Sequence, residues 1–508
     1  MTEPFRGSFI GGDFVASGRG DRFASTDPSK ADEIVFEARA DVDEVEAAVS
    51  AARAALPAWR RAGRTSRADA LLRVKAALPR HAAGLAEAIT AEMGKTIAES
   101  RAEVSLLGAK IDGVLAQLDS ELPPAPVGAP GEQRFHALGV VGIIGPFNFP
   151  LHLVHTHLVP ALLTGNTVVA KPSELTPLTG QRYAALFADA ALPDGVFNLI
   201  HGLAATGAAL AVHRDVRGLI FTGSYATGRH IRQATFDQPF KKVCLELGGK
   251  NPAVVLDDLL DDPAGLGFDH CVREIVLGAL LTTGQRCTAT SRVIAAPAIA
   301  SRLRDALTEA FAAIVPGDPT LESTFMGPLA QRSARDRYLA LLAAARAQGA
   351  RVLVEANAIG GPSGGGIYVT PGLYEVSGDE AIVHEELFGP HVAFEVAADE
   401  DDAFRRAGSN DYGLSASLFS SRPETFERFY DEVAAGVLNF NRSTNGASGL
   451  LPFGGVGQSG NWFPAGSAAP RLCTYPVAVM AGTSAQRTAN PQLDGLLAAQ
   501  DSKARSTT

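Results

Sequence analysis

Cys287 is the residue best suited to nucleophilic chemistry, and it stands in the sequence TTGQRCT at positions 282–288. Most cysteines are small buried hydrophobic residues, but a thiol flanked by Gly, Arg and Thr is open to solvent and readily held as a thiolate. The stretch therefore predicts a nucleophile, with a buried structural thiol as the alternative.

Two other residues have side chains suited to the same chemistry. Glu246 lies among leucines at the end of an apolar run, and burial raises the pKa of such a carboxyl group toward the range of a general base. An outward-facing strand residue is the alternative, although Gly248 and Gly249 would let a ligand approach closely.

Asn148 lies between aromatic residues and prolines, so its fixed amide either stabilises an oxyanion or caps a turn.

A nucleotide site is indicated at two further positions. The segment from Gly223 to Gly228 follows a strand-like run and opens a helical pattern, which directs backbone N–H groups at a pyrophosphate. Its spacing is not GxGxxG, so an ordinary strand-to-helix turn is the alternative.

Lys171 and Glu174 end another strand-like run, where they could bond ribose hydroxyls. The Glu174 carboxylate would repel the extra phosphate of NADP. A solvated connection is the alternative there.

Composition narrows the classes of partner. The net charge of −10 and the lack of a Lys/Arg cluster oppose binding to nucleic acid or to an anionic membrane. The N-terminus lacks an apolar signal-peptide core, and the four cysteines lack CxxC spacing, which predicts reduced thiols in a cytoplasmic protein. His152, His155 and His157 have no acidic or cysteine partner in ligand spacing, so no metal site is predicted.

A parallel sheet is predicted to position these residues. Strand-like runs rich in β-branched residues alternate with helix-sized segments, and the runs occur at 140–144, 167–169, 196–200, 219–222 and 242–246. This spacing is typical of right-handed βαβ units and predicts a doubly wound parallel sheet whose crevice holds a nucleotide. The mixed pattern after residue 251 predicts a second α/β domain.

The remaining segments are predicted from periodicity and from turn residues. A strand hairpin is predicted at 8–15, and helical periodicity is found at 43–60, 66–78 and 82–118. Prolines and glycines make 122–133 a connector or an extended arm. Polar composition past residue 482 predicts a loosely held tail.

Seven motifs in order make the chain resemble the aldehyde dehydrogenase superfamily from Phe9 to about Val479. These motifs are Gly145–Pro150, Lys171–Glu174, Gly223–Gly228, Leu245–Gly249, Gly284–Thr288, Glu385–Pro390 and Pro452–Gly455. The resemblance implies an α/β fold in three parts. These are an NAD-binding domain of 1–121 and 138–248, a catalytic domain of 249–462, and an oligomerisation arm of 122–137 and 463–483. A loosely ordered tail of 484–508 follows, and a homodimer or homotetramer is expected.

The resemblance also implies roles for single residues, with NAD as the cofactor and an aldehyde as the substrate. Cys287 is the implied nucleophile, Glu246 the general base and Asn148 the oxyanion donor. The implied cofactor contacts are Lys171 and Glu174 at the adenosine ribose, Gly223, Ser224 and Gly228 at the pyrophosphate turn, and Glu386 and Phe388 at the nicotinamide ribose.

Within the superfamily, the closest resemblance is to enzymes that oxidise N-succinylglutamate 5-semialdehyde in arginine catabolism. That subfamily has GHLPNGH where this chain has LHLVHTH at 151–157, and small or hydroxylated residues where this chain has GLL at 449–451. The apolar replacements favour a less charged aldehyde. Against that, the histidines and the arginines remain as possible partners of a substrate carboxylate. The candidate substrate residues are His155, His157, Arg286, Arg442 and Leu450. The alternatives are a more hydrophobic aliphatic or aromatic aldehyde, or an inactive NAD-binding structural protein.

Overall fold

The computed structural model describes residues 3–15, 19–30, 33–123, 125–126, 131–261, 266–362, 364–480 and 490–505. Within these ranges, the first sheet has the spatial strand order Lys242–Glu246, Val216–Thr222, Val140–Ile144, Thr167–Lys171, Phe197–Leu199, Ser8–Ile10 and Asp13–Val15. The first five of these strands run parallel, and the last two form the predicted antiparallel hairpin. The predicted doubly wound sheet is confirmed. Its strand order reverses beside Val140–Ile144, at the kind of switch point where such sheets bind ligands.

The second sheet carries the other half of the molecule. Among the described residues its strand order is Arg351–Val354, Gly372–Glu375, His391–Val396, Thr290–Ala295, Asn251–Val255, Ser415–Phe419 and Val437–Phe440. Only the pairing of Arg351–Val354 is antiparallel. Side chains of the inner strands, such as Val254, Val293 and Leu418, are fully buried in one apolar cluster. Helices therefore cover both faces, as a parallel sheet requires.

Helices surround the two sheets. Their bounds are Asp43–Arg61, Gly63–Met93, Ile97–Glu121, His152–Leu163, Pro177–Asp189, Ala204–Val212, Tyr225–Ala234, Leu266–Leu280, Pro297–Ala313, Arg332–Ala347, Ala381–His384, Glu400–Ala407, Pro423–Glu432, Ala469–Leu472 and Pro491–Arg505. Short helical turns occupy Asp257–Asp261 and Leu281–Gly284. No helix in the described ranges combines the length and hydrophobicity that crossing a bilayer requires.

The helix boundaries before residue 121 differ from the sequence prediction. The predicted break near Pro79 is wrong, because one helix runs through this proline from Gly63 to Met93. The real break follows at Gly94, whose φ of 75° is left-handed, and Thr96 caps the next helix, Ile97–Glu121. A left-handed glycine and a hydroxyl cap stop and start a helix more effectively than one proline interrupts a well-packed one.

Smaller strand pairs complete the chain. A three-stranded antiparallel sheet, here called the arm sheet, has the order Thr474–Met480, Gly131–Ala137 and Ala125–Pro126. Two-stranded pairs join Asp21–Asp27 with Glu33–Ala40, Ala358–Ile359 with Tyr368–Val369, Tyr412–Gly413 with Val456–Gly457, and Pro452–Phe453 with Ala465–Gly466. The predicted tail contains the helix Pro491–Arg505. Residues 124, 127–130 and 481–483 of the predicted arm, and 484–489 and 506–508 of the tail, lie outside the described residues.

Candidate active site

Cys287 lies in a backbone turn of unusual conformation. The helical turn Leu281–Gly284 precedes it, and both Thr282 and Thr283 have a φ of 56°. Left-handed backbone is unfavourable for β-branched residues, and such strain is typical of functional sites. The turn therefore needs contacts that hold it in place.

Glu99, on the helix Ile97–Glu121, supplies those contacts. Its carboxylate accepts from the Thr282 N–H at 3.2 Å and the Thr282 hydroxyl at 2.8 Å, and it pairs with the Arg286 guanidinium at 2.8 Å. Arg286 also donates to the Thr282 hydroxyl. Arg286 is therefore engaged as a structural ion-pair partner, which is one of the roles that the sequence left open.

The Cys287 thiol is not poised as a thiolate. Burial, together with the nearby carboxylates of Glu386 and Glu246, raises the pKa of Cys287 to about 12. Backbone N–H groups of Cys287 and Thr288 act in the opposite direction, with a smaller effect on this pKa. The expectation that its flanking residues would favour the thiolate is wrong, because the Arg286 charge is directed to Glu99. A base must therefore take the thiol proton.

Two buried carboxyl groups, Glu386 and Glu246, affect the thiol, and Glu246 is the one that accepts no well-formed hydrogen bond from a described residue. It ends the strand Lys242–Glu246, is 5% exposed, and neither carboxyl oxygen has a well-formed hydrogen bond to a described residue. Burial raises the pKa of Glu246 well above its ordinary value, and the backbone amide of Ala465 opposes this shift only in part. A carboxyl group with a raised pKa and free oxygens is suited to proton transfer.

The two glycines after Glu246 bring three parts of the site together. A Cβ on Gly248 would lie 2.2 Å from an oxygen of Glu386, and a Cβ on Gly249 would lie 2.4 Å from the Cys287 carbonyl oxygen. The Gly249 N–H donates to the Glu386 carboxylate at 2.9 Å. The chain can pass between the glutamate and the cysteine only because these two positions lack side chains.

Asn148 is held in the turn after the strand Val140–Ile144. Its Nδ2 donates to the Gln285 carbonyl at 2.9 Å, and the residue is 4% exposed. An amide nitrogen carries two hydrogens, so one of them is free to face the space beside Cys287. Phe147, its neighbour, meets the ring of Phe388 edge-on at 6.0 Å between centroids.

A cavity of about 860 Å³ connects Asn148, Cys287 and Glu386 to the carboxyl ends of the first sheet, and Glu246 is not among the described residues that line it. Its lining includes the candidate residues Asn148, Lys171, Glu174, Gly223, Ser224, Cys287, Glu386 and Phe388. The volume is within the range of small-molecule and cofactor sites. The structure thus brings most of the candidate catalytic and cofactor residues to one crevice.

At the far end of this cavity, the side chains are suited to an anionic, hydroxyl-rich ligand. Lys171 Nζ lies 3.8 Å from the Glu174 carboxylate and donates to the Pro172 carbonyl. The Ser224 hydroxyl accepts from the Thr227 N–H and caps the helix Tyr225–Ala234, and both residues line the cavity. Gly228 does not line this cavity. A Cβ there would lie 2.7 Å from Leu247, so the absence of a side chain at Gly228 allows the helix to pack closely.

The candidate substrate residues are less well placed. His155 is fully buried, and its ring nitrogens contact the Tyr183 hydroxyl and the Leu107 carbonyl, so it belongs to the core. His157 is 2% exposed on the same helix, outside the cavity lining. Arg442 is exposed beside the turn at Gly446, and Leu450 is 60% exposed. Neither lines the cavity at Cys287.

Sequence reasoning missed Leu153 and Glu99. Leu153 lines the cavity one helical turn after Asn148, and a helix phase assigned to 151–157 would have identified it. Glu99 lies 187 residues from Arg286 and belongs to no motif. In the described part of the chain, no group of His, Cys, Asp and Glu could hold a metal ion.

Comparison with known sequences gives a consistent result. The chain matches the model of the aldehyde dehydrogenase family over residues 14–472. It is similar to N-succinylglutamate 5-semialdehyde dehydrogenase 2 of Caulobacter vibrioides, with 40% identity covering 93% of this chain and 96% of that protein. The N-succinylglutamate 5-semialdehyde dehydrogenase of Burkholderia thailandensis is 36% identical, covering 95% of this chain and 98% of that protein.

Solved structures give the same result at the level of the fold. A mutant of aldehyde dehydrogenase C from Pseudomonas syringae, crystallised with NAD+ and octanal, matches with a TM-score of 0.89 and 29% identity, covering 96% of this chain and 99% of that chain. A putative aldehyde dehydrogenase from Burkholderia cenocepacia matches with a TM-score of 0.89 and 31% identity over the same shares of each chain.

Proposed function

The chain belongs to the aldehyde dehydrogenase family, and from that premise we propose that it oxidises N-succinylglutamate 5-semialdehyde to N-succinylglutamate with NAD. The predicted family and fold class are confirmed by the matches above. One observation carries the proposal: a single cavity runs from Lys171 and Glu174 to Cys287, with the Glu246 carboxyl group close enough to shift the pKa of the thiol. The substrate is proposed because relatives of 36–40% identity bear its name.

The residues of the cavity fit NAD. Lys171 and Glu174 would hold the adenosine ribose, the Ser224 turn and its helix N-terminus the pyrophosphate, and Glu386 the nicotinamide ribose. NAD supplies the hydride acceptor when it is bound. The Glu174 carboxylate, which is half-exposed, would repel the extra phosphate of NADP.

The first half of the proposed reaction forms a covalent bond to Cys287. Glu246 takes the thiol proton, and the thiolate attacks the aldehyde carbon to give a tetrahedral thiohemiacetal. The free N–H of the Asn148 amide and the backbone N–H of Cys287 stabilise its oxyanion. Loss of hydride then leaves a thioester on Cys287.

In the second half, water releases the acid. Glu246 has carboxyl oxygens without strong partners, so after it releases the thiol proton to solvent it can take a proton from the attacking water, and the Cys287 thiolate leaves. A base that can activate water favours hydrolysis over transfer of the acyl group to coenzyme A. The proposed enzyme is therefore hydrolytic and non-acylating.

Steady-state and rapid kinetics test this proposal. Purified protein should produce NADH with N-succinylglutamate 5-semialdehyde, and Cys287→Ala should produce none. Glu246→Gln should release at most one equivalent of NADH per site and then stall at the thioester. Unchanged turnover in the cysteine variant would disprove the covalent mechanism.

A more hydrophobic aldehyde is the second candidate substrate. Leu153 is apolar and lines the cavity with Cys287, and the Pseudomonas syringae relative was crystallised with octanal. A panel of carboxylated, aliphatic and aromatic aldehydes, ranked by kcat/KM, separates the two. A preference for octanal over the semialdehyde would reject the first choice, and NAD binding without any turnover would favour an inactive structural protein.

We also propose a homodimer or homotetramer assembled through the arm sheet. Tyr475 and Met480 on the strand Thr474–Met480 are 45% and 72% exposed, which leaves apolar surface for a second copy. Light scattering of the purified chain measures the assembly. A monomer at micromolar concentration would contradict this proposal.

A further inference from the structure

Lys110, on the helix Ile97–Glu121, is a buried lysine without an acidic partner. It is 7% exposed, and its Nζ donates only to the Gly466 carbonyl, at 3.5 Å. No carboxylate of the described residues lies within 4.0 Å of it. By contrast, the buried Lys95 pairs with Glu103 at 2.6 Å. A buried ammonium group ordinarily has such a partner, because leaving its charge unpaired is costly.

Three polar side chains of the neighbouring helix His152–Leu163 are also unsatisfied. The Nδ1 atoms of His152 and His157 and the hydroxyl of Thr156 are buried without a hydrogen-bond partner among the described residues. With 3.6 residues per turn, these three positions and Leu153 share one side of the helix. Leu153 lines the cavity that contains Cys287. The unsatisfied groups therefore lie on the side of the helix that faces the site.

Lys110 and these groups lie on two helices in contact, because the His152 N–H donates to the Glu103 carboxylate at 3.0 Å and His155 Nε2 lies 3.1 Å from the Leu107 carbonyl. Burial lowers the pKa values of His152 and His157, the Lys110 charge lowers both further, and Glu103 opposes the shift at His152. Those pKa values fall to about 4 and about 3, so both imidazoles are neutral at neutral pH and each can donate one N–H. The cluster thus offers one ammonium group and several neutral donors.

The cluster adjoins the reaction centre through the strand pair Pro452–Phe453 and Ala465–Gly466. The backbone amide of Ala465 lies near the Glu246 carboxyl group, and the next carbonyl, that of Gly466, accepts from Lys110. A Cβ on Gly454, after the other strand, would lie 3.4 Å from Glu246. The adjacent residues Ala465 and Gly466 therefore connect the surroundings of Glu246 with those of Lys110.

We propose that Lys110, Thr156 and His157 form a subsite that binds a carboxylate of the aldehyde substrate. The inference rests on the proposed aldehyde oxidation at Cys287 and identifies what selects an anionic aldehyde there. A carboxylate supplies the missing charge for Lys110 and accepts hydrogen bonds from the hydroxyl and the imidazole. In this subsite His157 would donate a hydrogen bond to the substrate carboxylate from a buried position. This is the substrate role that the sequence predicts for His157.

The charge state of Lys110 supports this assignment. Burial lowers the pKa of Lys110 to about 8, so the amine is largely protonated at neutral pH. A bound carboxylate would raise this pKa again, which means that binding and protonation reinforce each other.

The test compares aldehydes of equal length with and without a carboxylate. We choose glutarate semialdehyde and pentanal, and we measure kcat/KM for each with the wild type and Lys110→Met. The ratio of the two values should fall about 10- to 100-fold in the variant, mainly through KM, as expected for a lost charge-assisted hydrogen bond. The matched control is Lys75→Met, because Lys75 is an exposed lysine paired with Asp112, and it should leave the ratio unchanged.

Several outcomes would decide the proposal. A ratio that stays at the wild-type value while both aldehydes lose equally would overturn it, since a structural or proton-transfer role affects both. If Lys110→Met does not fold, the ratio in Thr156→Val decides in the same way. If the wild type oxidises no aldehyde, the proposed function fails separately, and thermal stabilisation by glutarate then tests the subsite. Stabilisation that Lys110→Met abolishes supports it, and equal or absent stabilisation overturns it.

Discussion

The contact between Glu99 and the turn before Cys287 gives the sharpest prediction for mutagenesis. Glu99→Gln keeps the shape of the side chain but removes its charge and directs an amide donor at the Arg286 guanidinium. We expect the variant to lose kcat while retaining NAD affinity within about twofold, since Glu99 touches no residue of the cofactor cavity.

The size of the effect follows from the contacts. The side chains of Glu99 and Arg286 are 13% and 19% exposed, so their pairing is only partly screened by solvent. One lost hydrogen bond between charged groups contributes about 1.5–3 kcal/mol. The left-handed conformations of Thr282 and Thr283 cost about 1–3 kcal/mol each. The two magnitudes are comparable, so loss of the contact is sufficient to let the turn relax and displace the thiol.

We therefore expect a 2–3 kcal/mol loss of unfolding free energy, on the order given by one such bond, and a drop in kcat of about 10- to 100-fold. Urea denaturation and steady-state turnover measure the two quantities. Glu121→Gln is the control, because Glu121 ends the same helix and pairs with the exposed Arg471 at 3.0 Å. That surface pair should contribute less than about 1 kcal/mol. If Glu99→Gln behaves like this control, the turn does not depend on Glu99.

Three other predictions concern proton transfer and the cofactor. Since burial raises the pKa values of both Cys287 and Glu246, kcat/KM for the uncharged aldehyde pentanal should rise with pH from neutral into the alkaline range as their protons are lost, and a profile that falls would contradict the assigned base. Glu174→Gln should raise the kcat/KM ratio of NADP to NAD about tenfold or more, as expected when a like charge is removed, and an unchanged ratio would exclude Glu174 from cofactor selection. Gly248→Ala places a Cβ 2.2 Å from Glu386, so NADH formation should slow by about 10- to 100-fold while circular dichroism stays native, and wild-type rates would show that Glu386 can move freely.

The first sheet could be predicted from the sequence because its signals are local. Each parallel strand is a short β-branched run followed by a helix-sized segment, and all five predicted runs form strands. The carboxyl ends of such strands meet at one edge, which is why Lys171 and Gly223 could be assigned to the same crevice.

The environment of each side chain could not be predicted in this way. No residue near Arg286 in the sequence indicates that its guanidinium pairs with Glu99. The sequence therefore predicts a lower pKa for the Cys287 thiol than the structure gives. Likewise, the residue types at 151–157 do not indicate which side of a helix each of the three histidines occupies. Only the helix His152–Leu163 shows that His155 faces Tyr183 while His157 shares a side with Leu153.

The short link between the two sheets also sets a limit on recombining this protein with its relatives. Glu246 ends one sheet and Asn251 begins the other, and Asn251 Nδ2 donates to the Cys287 carbonyl at 2.8 Å. Only four residues of chain therefore separate the base from the segment that anchors the nucleophile. A chimera joined within 247–250 would combine a base from one parent with a cysteine positioned by the other, so a productive crossover has to lie outside this link.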